Sequence, residues 1–132
     1  MSWVTDKATI TTAFGTAGYR EVPNQKDLEH GSTTFKNKAY ELRPIGAELQ
    51  HYSNSSTRAT HRILLRVGYI NRSSTKTTIQ QRDINFDLFM TLLTTLNGLS
   101  VFMSFITDPT FTDVDEHKSI GEIEFYCGAR EC

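Results

Sequence analysis

Cysteine occurs only twice in this 132-residue chain, at Cys127 and Cys132, both close to the C-terminus. Such a pair does not make the dense framework of a small secreted disulfide scaffold. The two thiols can close a small loop, link neighbouring chains or stay reduced, and the reduced state is the expectation. Neither has a nearby histidine pair, so no zinc site is expected. Motifs for chemistry are also missing: the chain has no GxSxG, GxxxxGK, HExxH or paired CxxC. A long apolar leader is absent from "MSWVTDKATI", so no export is expected. The uncharged run from Leu88 to Ile106 reads poorly as a membrane span, because threonine, asparagine and serine interrupt it and no Lys or Arg anchors flank it. Asn54-Ser55-Ser56 and Asn71-Arg72-Ser73 match the glycosylation sequon, a pattern short enough to arise by chance.

Acidic residues are missing from one long stretch. Between Leu49 and Arg82 there is no Asp or Glu, whereas Arg58, Arg62, Arg66, Arg72, Lys76 and Arg82 lie there with His51 and His61. From Asp83 to Tyr126 the balance reverses, with Lys118 the only Lys or Arg among eight acids. The net charge of −1 excludes a uniformly basic nucleic-acid binder, but this layout separates the signs along the chain. The length fits one domain spanning residues 1–132. A hydrophobic fraction of 38% is thin for a self-sufficient globule and hints at burial against another copy.

The core of the basic stretch alternates. Ile63, Leu65, Val67 and Tyr69 interleave with Arg62, Leu64, Arg66 and Gly68, a period of two that predicts a strand. β-branched residues, Gly68 and the turn-like "NRSSTK" agree with it. Arg58, Arg62 and Arg66, four apart, then share the face opposite the apolar set. "RDINFDLFM", residues 82–90, reads as a second half-buried strand, with Ile84, Phe86 and Leu88 inward and Asp83, Asn85 and Asp87 outward. "KATITTAF" and "YREVP" read as an N-terminal hairpin about Gly15 to Gly18, and "STTFKNKAYELRP" and "AELQHYS" as further strands, after which "NSSTR" makes a hairpin turn. A helix is expected from Thr94 or Thr95 to Thr107, where "DP" stops it. It is apolar around most of its circumference, so a partner chain is expected to supply part of its cover. "SIGEIEFYCGAREC" reads as a short strand and a loose end. The fold class is α+β: an N-terminal hairpin and antiparallel meander sheet, with a C-terminal helix packing across a dimer partner.

Two candidate sites follow from the residues. Asp83, Asn85 and Asp87 on one strand face, or a lone His61, offer acid/base groups, although adjacent carboxylates on a solvated strand are ordinary. The arginine stripe is the stronger candidate, because guanidinium groups pair with phosphates and stack on unpaired bases, and Gln50, Tyr52, Thr60 and Asn85 add hydrogen-bonding and stacking partners.

Three stretches together resemble the coat proteins of the single-stranded RNA bacteriophages, the levivirus group. "ATITTAFGTAGYREVPNQKDLEHGSTTF" is similar to that family's opening hairpin and following strand, "AELQHYSNSSTRATHRILLRVGYINR" to its central strand pair, and "QQRDINFDLFM" to its last strand leading into a helix. Their order and spacing over about Lys7 to Asp108 carry the resemblance. It implies an obligate homodimer with one continuous sheet, assembly into an icosahedral shell in the bacterial host cytoplasm, and residence in the virion. It further implies that the inner sheet face binds genomic single-stranded RNA and, through a hairpin, represses replicase translation. The RNA-facing set carried over is Glu48, Gln50, Thr60, Arg62, Arg66, Asp83, Asn85 and Asp87. Asp83 stands where the family often has a base-stacking aromatic. The expectation is a structural protein with no catalytic residues, metal, cofactor or membrane partner. The alternatives are a phage tail or connector subunit that forms rings without RNA, and a small ligand-binding or enzymatic α+β domain.

Overall fold

Ile10 and Phe14 repeat at the spacing of one helical face, and with Asp6 they form the buried stripe of the first element, helix α1 (Trp3–Thr16). In the computed structural model, which describes residues 3–23, 28, 35–53 and 56–128 and only the backbone at 49–53, 56–59 and 103, α1 stands where an N-terminal hairpin was expected. Its threonines and isoleucine suit strands as single residues, but burial at every fourth position outweighs that preference. The helix closes with the Tyr19 N–H on the Phe14 carbonyl at 2.9 Å across Gly18, whose φ of 92° suits a residue without a Cβ.

Strand β1 (Arg20–Glu21) pairs in parallel with the start of β2 (Ala39–Ser53), and β2 pairs antiparallel with β3 (Ser56–Ile70). β3 is the predicted strand: Ile63, Leu65, Val67 and Tyr69 are fully buried on one face. The chain then enters helix α2 (Thr78–Asn97), crosses to β4 (Phe102–Phe105) and β5 (Thr110–Asp115), and ends in β6 (Lys118–Gly128) beside β3. The sheet order is β1-β2-β3-β6-β4, with β5 also paired to β6. The α+β class and the antiparallel β2–β3 pair stand as expected.

Two expected elements are corrected here. Residues 82–90 are helical, because the capping box at Thr77 starts a helix: its hydroxyl accepts from the Gln80 N–H at 3.2 Å and the Gln80 side chain accepts from the Thr77 N–H at 3.1 Å. Asn85, Phe89, Leu92, Leu93 and Leu96 then fall on one buried face, whereas Ile84 and Phe86 stand exposed. The expected helix reaching Thr107 instead ends at Asn97, and residues 102–105 form β4 against β6. The apolar face of α2 is covered within its own chain, by the sheet and by α1. None of the described helices is long and apolar enough to cross a membrane.

Both helices pack on one face of the sheet around Tyr40, Leu65, Tyr69, Phe89 and Phe125. A smaller cluster of Leu28, Phe35, Ala39 and Ile120 covers one end of the other face. The described remainder of that second face carries the arginines, with Arg62 exposed and Arg66 only 17% exposed.

Candidate functional site: the open sheet face and its surroundings

Arg62 and Arg66 lie on this second face as the alternation in β3 predicts, Arg66 largely covered, with Glu48 and Thr60 directly opposite one another across the β2–β3 ladder. Neighbouring strands determine what these charges meet. The register places Arg66 between Glu41 of β2 and Glu122 of β6, and Leu64 beside Glu124. Arg62 donates to Glu124 Oε1 from Nε at 2.9 Å and from Nη2 at 2.6 Å. Arg66 lies 3.6 Å from Glu41 and 3.5 Å from Glu122, and Arg43 grips the buried Glu41 carboxylate with contacts of 2.9 to 3.1 Å. Tyr126 donates to Glu48 at 3.0 Å. Arg62 and Arg66 are thus each matched by a glutamate from an adjacent strand, and Arg43 by Glu41 of its own strand. A phosphate would have to displace a carboxylate to reach either Arg62 or Arg66.

The other members of the expected RNA-facing set divide. Gln50 lies on β2 opposite Arg58, where only the backbone is described. Asp83, Asn85 and Asp87 are on α2, on the far side of the sheet from the arginines. Asp83 and Asp87 are exposed there, but Asn85 is buried and donates to the Ile70 carbonyl at 3.0 Å and to Asn71 Oδ1 at 2.9 Å. Asn71 donates to Ser119 Oγ at 2.8 Å, Ser119 donates to Asp113 Oδ1 at 2.8 Å, and Arg82 reaches the same oxygen at 2.7 Å. This chain of bonds ties the first half of α2 to the end of β3 and to β6. Arg82 first, then Ser119, hold the Asp113 carboxyl below its ordinary value. The Asn71 sequon is inaccessible, since Asn71 is buried in this network. Asn54 lies outside the described residues.

Sequence reasoning missed a second grouping. His61 and Cys127 are direct partners across the β3–β6 ladder, and Asp6 of α1 sits close enough to act electrostatically on both. Both Asp6 oxygens and His61 Nε2 are buried and have no hydrogen-bond partner among the described residues. The residue types are those of a nucleophilic triad, but burial, followed by the nearby Asp6 charge, pushes the Cys127 thiol up to about 12. A fully buried protonated thiol does not serve as a nucleophile. Cys127 is a free thiol, and Cys132 lies outside the described residues. The described residues include no cluster of three or more His, Cys, Asp or Glu arranged to hold a metal.

Burial raises the Asp6 carboxyl above its ordinary value of 3.8, against an opposing pull from His61. The folded chain therefore holds this proton more tightly than the unfolded chain. Stability from this group is present below pH 3.8 and is lost as pH rises through the raised value. Asp113 works the other way: its contribution is present above 3.8 and is lost as pH falls toward its lowered value. Asp6→Asn is expected to remove the alkaline-going loss and leave the acid-side loss. Thermal unfolding of both proteins between about pH 3 and 8 measures this, and parallel curves would rule the assignment out.

A third feature lies between α2 and the β4–β5 connection. A groove of about 510 Å³ opens there, with an apolar floor of Met90, Leu93, Phe105, Pro109 and Ile123 and with Asp108 at its rim. No sequence pattern announced it, because its walls come from elements separated along the chain and one of them was expected to be helical. Compared with protein-family models and with curated proteins, the chain matches none.

Proposed function

We propose that the protein is a structural subunit that assembles with copies of itself into a ring, of the kind found in phage tails and connectors. The observation that carries this reading is the β2–β3 hairpin. Each of its strands runs for 15 residues, but among the described residues β6 accompanies β3 only from Thr60 onward, so residues 49–53 and 56–59 continue as a two-stranded ribbon beyond the rest of the described sheet. An isolated ribbon is marginal in water and gains stability by packing against something else. The domain behind it has its own core under two helices, so assembly would join preformed units. The edge of β2 that is unpaired beyond Tyr40 among the described residues is poorly suited to strand addition, since Pro44, a bulge between Pro44 and Gly46, and the charged Glu41, Arg43 and Glu48 blunt it.

The shell-forming coat subunit that binds RNA is the second reading, favoured by the placement of Arg62 and Arg66 on the sheet face opposite the helices. It shares self-assembly with the first. The glutamate partners of both arginines and the placement of Asp83, Asn85 and Asp87 on α2 weigh against it. Electron microscopy of the purified chain, with its absorbance ratio at 260 and 280 nm, separates the two. Rings free of nucleic acid are expected, unchanged in Arg62→Ala/Arg66→Ala. Closed shells carrying RNA, with less RNA in that double variant, would favour the coat reading instead.

A further inference from the structure

Seven large apolar side chains stand exposed among the described residues, and four of them, Ile79, Ile84, Phe86 and Met90, are on α2. Ile79, Asp83, Phe86, Asp87, Met90 and Thr94 recur at helical spacing and form one solvent-facing stripe leading into the Met90–Phe105 groove. The stripe is acidic as well as apolar: Asp83 and Asp87 border it and Asp108 rims the groove. The nearby Arg82 is turned to Asp113 and lies over the Phe111 ring. The hairpin ribbon has the opposite character. Its described residues, 49–53 and 56–59, include no acid and contain His51, Arg58 and the apolar Leu49 and Tyr52. The rung Ser53–Ser56 is four residues past Thr60, so the ribbon reaches roughly 14 Å beyond the sheet.

We infer that the basic ribbon of one copy docks on the acidic, apolar groove of the next. The ribbon leaves from β2 and β3, whereas the groove lies past β6 on the other side of the sheet, so one chain does not close the contact on itself. Two different patches meeting make a head-to-tail contact, which closes into a ring when the rotation allows. Charge complementarity identifies the occupant: the ribbon belongs to the one long stretch without acid, and it faces a rim without Lys or Arg. The inference rests on the self-assembly proposed above and specifies its contact.

Light scattering of the full chain and two variants tests this. Met90→Glu places a charge in the groove and keeps the ribbon; Arg58→Glu reverses the ribbon charge and keeps the groove. Each variant alone is expected to run as a monomer with an unchanged circular dichroism spectrum. An equimolar mixture is expected to give a dimer and nothing larger, because only one competent contact remains per pair. Thr94→Arg, at an exposed position beside Met90, repeats the groove test should Met90→Glu fail to fold. A Met90→Glu or Thr94→Arg protein that assembles like the unaltered chain overturns the groove contact and leaves self-assembly standing. A mixture that stays monomeric also overturns it. An unaltered chain that stays monomeric overturns the proposed function itself.

Discussion

Phe89→Ala is expected to lower the free energy of unfolding by about 3–5 kcal/mol, the usual range for emptying a buried aromatic site. The ring is fully buried, lies between Tyr69 and Phe111 with centroids 6.4 and 6.1 Å away, and covers Gly121 of β6. A Cβ at position 121 would come within 2.7–2.8 Å of three Phe89 ring atoms, closer than packed atoms tolerate. Gly121→Ala is therefore expected to cost about 1–3 kcal/mol by itself. Together with Phe89→Leu it should cost less than the sum of the two single changes, because the smaller side chain vacates the space the methyl needs. Denaturant unfolding of the four proteins measures this cycle. Additive effects would mean that α2 does not sit on Gly121.

Asn85→Ala is the second substitution with a large expected effect. It removes the donor to the Ile70 carbonyl and to Asn71 Oδ1, leaving buried acceptors unsatisfied at about 1–3 kcal/mol for each such group. It also detaches position 85 from the chain of bonds running from Asn71 through Ser119 to Asp113. The expected result is a loss of roughly 2–4 kcal/mol in stability, near the upper part of what a single polar deletion gives. Had Asn85 faced RNA from a strand, the same change would leave stability nearly untouched and weaken nucleic-acid binding. Thermal unfolding and an RNA-binding assay on one preparation distinguish these outcomes.

The contrast at Asn85 shows which parts of the sequence were legible. β3 was, because Ile63, Leu65, Val67 and Tyr69 alternate over a full strand with Leu64 as the only interruption, and all four are buried. Residues 83–88 also alternate, but that run is short, and a period of two over six residues coincides with part of a helical pattern. The signal that decides between them was upstream, in the Thr77–Gln80 capping box, and downstream, in the Phe89, Leu92 and Leu96 spacing. α1 was concealed in a similar way: its threonines resemble strand residues, while the informative spacing was Asp6, Ile10 and Phe14. The charge segregation was visible, but its neutralisation was not. Glu41, Glu122 and Glu124 are remote in sequence from Arg62 and Arg66 and meet them only through strand register. The groove and the Asp6–His61–Cys127 grouping likewise depend on which elements become neighbours.

The central claim is that a self-contained domain uses its protruding hairpin to join copies of itself. Native mass spectrometry of the full chain tests this most directly. The expected result is one discrete species at a whole-number multiple, greater than one, of 15.0 kDa, with no nucleic-acid mass. A chain that stays at 15.0 kDa across the accessible concentration range would contradict it.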